Sequence, residues 1–156
     1  MERDSYLDSI RSAWLGERFG EVFFTAMAER TDDDAMRSKW QSLATLERVT
    51  GERMAEVLES YGETAATTEA IEVGEDILSR YADVPHIESM TEMRDVVEKA
   101  IVRFDQLLAI APDADVPAVQ FLVQHEQALL TFVEREIAGD GANALEDVNR
   151  LIAPAA

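Results

Sequence analysis

No cysteine occurs anywhere in the chain. That rules out disulfides, thiolate metal sites and thiol nucleophiles together, and it agrees with a reducing compartment. Basic residues are also scarce: 14 Lys and Arg stand against 32 Asp and Glu, for a formal net charge of −18. A surface of that sign repels phosphate backbones and anionic lipid, so neither nucleic acid nor a membrane is expected as a partner. The charge itself reads as a solvated acidic surface rather than as a trap for cations. No apolar run approaches the roughly 20 residues that span a bilayer. The opening residues Met1 to Ser5 lack the basic start and apolar stretch of an export signal. A cytoplasmic protein is expected. No glycine-rich phosphate loop, nucleophile elbow, HExxH or haem-attachment pattern is present.

What the chain does have is a repeat. Glu17, Phe23, Met27, Ala28, Asp32 and Asp34 recur 81 positions on as Glu98, Phe104, Leu108, Ala109, Asp113 and Asp115, and Trp40, Leu43 and Glu47 return two residues early as Val119, Leu122 and Glu126. Its 156 residues, 47% of them hydrophobic, suit a single all-α domain over 1–156 that buries roughly two-thirds of its unfolded surface.

Apolar side chains at helical spacing predict a first hairpin over 4–61. Its first helix, 4–30, carries a stripe of Leu7, Ile10, Trp14, Phe24 and Ala28, in which Glu17 and Glu21 fill the remaining places. The run Thr31 to Asp34 offers N-cap oxygens to the next helix, 34–61, where Glu47 sits between Leu43 and Thr50 and Gly62 stops the run. A second hairpin spans 88–138, with helices over 88–111 and 116–138. Met90, Met93, Val97, Ile101, Phe104 and Leu108 form the stripe of its first helix, and Glu98 lies beside that stripe. Asp115 is placed to cap the second helix, with Pro117 in its first turn. The crossover, 62–87, holds a short helix over 68–81. Helix and flanks together reach about 50 Å, enough to return along the whole molecule and leave the second and third long helices parallel. A C-terminal helix is predicted over 142–152.

Gly16-Glu17 with the phenylalanine pair at 23 and 24, Leu43-x3-Glu47, Glu98-Lys99-Ala100-x3-Phe104-x3-Leu108-Ala109 and Leu122-x3-Glu126 together resemble the ferritin-like superfamily and its rubrerythrin-like branch, over about residues 5 to 138. The resemblance implies a ferritin-like four-helix bundle in which the first and third helices each give one glutamate and the second and fourth each give a Glu-x-x-His pair to two iron or manganese ions. By position the metal ligands would be Glu17, Glu47, Glu98 and Glu126. The chain departs from the pattern at Thr50 and Leu129, where imidazoles are called for. An all-oxygen site suits manganese, magnesium or calcium better than an iron pair that cycles between redox states.

Without a metal, four converging carboxylates must be protonated, pair with an arginine or stay open to water. Arg94 and Arg48 are the nearest candidates. His125, on a face between Leu122 and Leu129, reads as a hydrogen-bonded core residue, and His86 as a turn or cap residue. The methionines read as core filler. Gly16, Gly20 and Gly51, inside helices, mark close approach or distortion. A homodimer is expected, because small bundles of this kind often leave an apolar face uncovered. The expected function is divalent-metal binding through the four glutamates with altered or reduced redox chemistry. The alternative is a metal-free bundle acting as a binding or oligomerisation module.

Overall fold

The computed structural model describes residues 3–65 and 71–153, and every element in them is helical. Four long helices, α1 (Arg3–Arg30), α2 (Asp34–Ser60), α4 (His86–Ile110) and α5 (Val116–Ile137), are joined by a short α3 (Glu75–Ala82) and closed by α6 (Glu146–Ile152). Among the described residues no helix is long and apolar enough to cross a membrane.

The boundaries follow local chemistry. Asp33 caps α2 by accepting from the amides of Ala35 and Met36 at 2.9 and 3.1 Å. Gly62 ends α2 at φ +78°, in the left-handed region. Between Leu108 and Val116, Pro112 and a 3-10 turn (Asp113–Asp115) reverse the chain. Asp115 stands at the N-cap of α5, but its side chain makes no capping bond. Instead its Oδ2 accepts from Tyr6 Oη at 2.7 Å and Tyr61 Oη at 2.8 Å. The short crossover helix begins at Glu75 rather than 68, because Gly74 stands at its N-cap and 71–74 are not helical; 68–70 lie outside the described residues. The predicted C-terminal helix breaks into a 3-10 turn (Gly141–Asn143) and α6.

The direction of each long helix can be read from two polar ties. Tyr6 near the start of α1, Tyr61 at the end of α2 and Asp115 at the start of α5 meet at one end. Glu136 near the end of α5 bonds Lys39 near the start of α2 at 2.8 Å and His86 at the start of α4 at 2.9 Å, marking the other end. Therefore α1 and α5 run one way and α2 and α4 the other, with α3 on the long return between α2 and α4. His86, expected to be a mere cap, is one of the residues that ties the hairpins together.

Two apolar cores result. At one end Tyr6 to Trp14 of α1 pack with Met54 to Leu58, Ala100 to Leu107 and Val119 to Val123. At the other, Phe23 to Ala28 pack with Trp40 to Leu46, Met90 to Val97 and Ala128 to Val133. Phe24 stacks on Trp40 at 5.9 Å, and Trp40 leans on Phe132 at 6.4 Å. Truncating fully buried Phe132 to alanine would cost about 3–5 kcal/mol. Glu17, Glu47, Thr50, His125 and Glu126 are buried in the layer between the cores. α1 packs along α2 and α4 along α5, but α1 and α4 scarcely touch. A groove remains between them.

Candidate metal centre

Three of the four glutamates expected as ligands converge. Glu17 is 3% exposed, Glu47 6% and Glu126 8%, because each occupies a place in the inward stripe of its helix. Glu98 does not join them. On α4 the inward places are Met90, Met93, Val97, Ala100, Phe104 and Leu107, and Glu98, one residue past Val97, is turned about 100° away. Its side chain is 54% exposed and lies 3.9 Å from Arg94. The internal repeat thus holds in sequence while its third glutamate has left the centre. Arg48, considered as a partner for Glu47, bonds Glu52 at 3.0 Å instead.

The fourth member is His125, fully buried. Its Nε2 lies 3.0 Å from Glu47 Oε2 and 3.1 Å from Glu17 Oε2, and its Nδ1 is 3.3 Å from the Leu122 carbonyl and 3.7 Å from Glu126 Oε1. Read from sequence as a core histidine bonded to its surroundings, it is that, and it also stands among the carboxylates. The signal was its place in the α5 stripe, three residues after Leu122 and four before Leu129. Thr50 and Leu129, at the places where the resemblance calls for imidazoles, take structural roles: Thr50 Oγ1 donates to the Leu46 carbonyl at 2.8 Å, and Leu129 is buried against apolar neighbours.

Electrostatics separate the three acids. Burial, reinforced by the charge of Glu47, pushes the Glu17 carboxyl well above the usual range, against the opposing pull of His125. Burial acts on Glu47 too, but the His125 charge and hydrogen bonds from Glu17 and His125 outweigh it and hold Glu47 low. For His125, burial disfavours the cation, yet the facing carboxylates of Glu17, Glu47 and Glu126 overcome this and raise it well above the ordinary imidazole value. Glu126 is pushed up to about 7, chiefly by burial, with His125 opposing.

One atom is left over. Glu17 Oε2 lies 3.1 Å from His125 Nε2, which approaches Glu47 Oε2 more closely at 3.0 Å, and it has no hydrogen-bond partner among the described residues and is shielded from solvent. A buried acceptor in that condition costs about 1–3 kcal/mol unless something binds it. Glu17, His125 and Glu126 offer three donor atoms all within 4.8 Å of one another. Glu47 Oε2 stands beside this group, 3.0 Å from the same Nε2 that lies 3.1 Å from Glu17 Oε2. Nδ1 facing a backbone carbonyl also favours the tautomer that leaves Nε2 free to ligate. Glu17, His125 and Glu126 could therefore hold one metal ion, with His125 supplying the nitrogen that positions 50 and 129 lack.

No protein-family model matches the chain, and neither a curated protein nor a solved structure matches it.

Proposed function

We propose that this protein binds a single divalent metal ion through Glu17, Glu47, Glu126 and His125, on a bundle of ferritin-like descent. The observation that carries the reading is the orphaned Glu17 Oε2, buried beside an imidazole nitrogen and further carboxylates with no donor of its own. The directions of the four long helices and the long return between α2 and α4 support the ferritin-like lineage. With Glu98 on the surface, a pair of ions loses one of its carboxylates, which is why one ion is proposed. Three carboxylates and one imidazole suit manganese, iron or zinc better than calcium or magnesium, which prefer oxygen alone. Such an ion supplies Lewis acidity at the foot of the groove. The protein's own groups orient it: the Leu122 carbonyl fixes the ring of His125, and burial excludes bulk water.

Elemental analysis of protein purified without chelator tests this, with metal expected near one equivalent and absent from the Glu47→Ala, Glu126→Ala double variant. Cobalt(II) added to chelator-treated protein should give visible absorption that the variant lacks. Protein free of metal in both assays would overturn the reading.

A second reading is favoured by one specific observation: both ring nitrogens of His125 face acceptors, Nδ1 the Leu122 carbonyl and Nε2 the Glu47 carboxylate. That is how a buried imidazolium is held. In this reading the cluster is closed by protons, and the bundle is a metal-free binding module. The nitrogen-15 shifts of His125 separate the two, since an imidazolium protonates both nitrogens whereas a ligand leaves one bare.

A further inference from the structure

Among the described residues, the large apolar side chains left exposed are Leu15 on α1 and Ile87, Val96, Val102 and Ile110 on α4, and the other helices carry none. Burial is thus incomplete on the side where α1 and α4 part around a groove of about 740 Å³. Val96 and Ile110 stand on its α4 wall, Phe19 and Phe23 on its α1 wall. Apolar surface gathered in this way marks a contact with another molecule.

Charge says which molecule. The acids that line the groove, Glu17, Glu47 and Glu126, are buried, so the charges that reach solvent along it are those of Arg80 and Arg103. An occupant must bring apolar side chains flanked by acids. α4 itself has that form. Glu88, Glu92, Val96, Lys99, Arg103 and Ile110 follow one another at steps of three, four or seven residues and share one side of the helix. The strip is acidic before Val96 and basic after it. Laid antiparallel on a copy of itself, it sets Glu88 and Glu92 against Arg103 and Lys99 of the second copy, and symmetry makes each match twice. A parallel arrangement would set like against like. The basic half is not spent within the chain: Glu92 reaches Arg80 at 3.7 Å and Arg94 lies 3.9 Å from Glu98, and neither pair uses Lys99 or Arg103. Facing α4 across the groove, Ser9, Ser12 and Gly16 of α1 are small and uncharged, so a further helix can lie close to them.

We propose that the α1–α4 face is the interface of a symmetric homodimer, in which α4 of each copy lies antiparallel to α4 of the other about a two-fold axis beside Val96. The second copy covers the groove that a single chain leaves open. The inference goes beyond metal binding and does not require it.

Sedimentation equilibrium over a concentration series is the test, in salt near the physiological level so that the net charge of −18 on each copy is screened. A reversible dimer is expected. Arg103→Glu and Glu92→Arg should each weaken it at least ten-fold, because each places like charges together on both sides of the axis. The Glu92→Arg, Arg103→Glu double variant should regain most of the association, since the exchange restores opposite signs, and a fold damaged by one substitution would not be repaired by the other. Exchange of the groove-facing amides of α1 and α4, fast in the separate chain, should slow as the dimer forms. Neither residue is a proposed ligand of the ion, so failure of the metal reading appears in elemental analysis and leaves this result untouched. A monomer at every concentration would overturn the proposal, as would a dimer indifferent to Arg103→Glu or single variants that the double variant does not rescue. So would a monomer that retains another molecule in native mass spectrometry, which would assign the groove to that molecule.

Discussion

Gly20 on α1 faces Glu47 on α2 so closely that a Cβ at position 20 would stand 2.7 Å from the Glu47 carboxyl carbon. That carboxyl is the end of a flexible side chain, but it is buried and held by His125 at 3.0 Å, so it cannot swing away without breaking the cluster. Gly20→Ala should therefore destabilise the protein despite alanine's better helix propensity, and should weaken metal binding at least ten-fold. Gly16→Ala, four residues away with open space around it, should stabilise by up to about 1 kcal/mol. Denaturant unfolding of the pair is the measurement; equal effects at both positions would show that Glu47 is not pinned.

Removing the imidazole leaves acids without their counter-charge. His125→Ala should cost about 3–5 kcal/mol near neutral pH, because breaking a buried pair strands the remaining partner. The loss should shrink at pH 5, where Glu17 and Glu126 are protonated in the fold. Urea unfolding at the two pH values decides it. A loss that is the same at both would mean that His125 contributes packing alone.

The raised acids set a pH dependence. Glu126 moves from 4.5 to about 7 on folding, so the native state holds more protons than the unfolded state across that interval, and stability is present below 4.5 and drains away as pH rises through 7. For this group alone the loss is about 3 kcal/mol. Glu17 and His125 are raised as well and extend the decline to higher pH. Glu47, held low, acts in the other direction and loses its contribution only on acidification below its ordinary value. Chelator-treated protein should melt at progressively lower temperature from pH 5 to 8, and Glu126→Gln should flatten the profile. Metal affinity should rise over the same range, since protons must leave before an ion can bind. A melting temperature that climbs from pH 5 to 8 would contradict the assignment.

Asp115 holds two phenols with one oxygen, and its neighbourhood raises both Tyr6, through burial and this bond, and Tyr61, chiefly through the bond. Asp115→Ala should cost about 2–3 kcal/mol by leaving the buried Tyr6 hydroxyl unpaired. Tyr6→Phe and Tyr61→Phe should each cost less, and a double-mutant cycle should show coupling between them. None of these changes should alter metal content, because the tie lies at one end and the cluster in the middle. Glu98→Gln serves as the matching control at the surface: stability is expected within about 0.5 kcal/mol of the parent, and metal content is expected to be unchanged.

Much of the architecture was legible. The long helices fall within two residues of their expected bounds, because the three-and-four spacing of apolar side chains runs unbroken and Asp33, Gly62 and Pro112 punctuate it. The short helices were less so, since Gly74 falls inside the first predicted run and the second opens with residues of a 3-10 turn before α6 starts at Glu146. Within the site, Glu17, Glu47 and Glu126 were visible because each fills a gap in an apolar stripe. Glu98 was misplaced by trusting the repeat over the stripe beside which it visibly lay. His125 was hidden for a different reason. One stripe shows that a histidine points inward, but only the relative positions of α1, α2 and α5 reveal that its ring ends between two carboxylates.

The two polar ties, Tyr6–Asp115–Tyr61 and Lys39–Glu136–His86, sit at opposite ends of the molecule. Halfway along, the two hairpins are joined mainly where α2 meets α5. The protein is therefore latched top and bottom along one seam, whereas across the α1–α4 seam the link is the short α3, whose Glu75 pairs with Arg30 of α1 at 2.8 Å and whose Arg80 lies 3.7 Å from Glu92 of α4. Amide protons on the groove-facing turns of α1 and α4 should exchange ahead of those on α2 and α5, with both latches still closed.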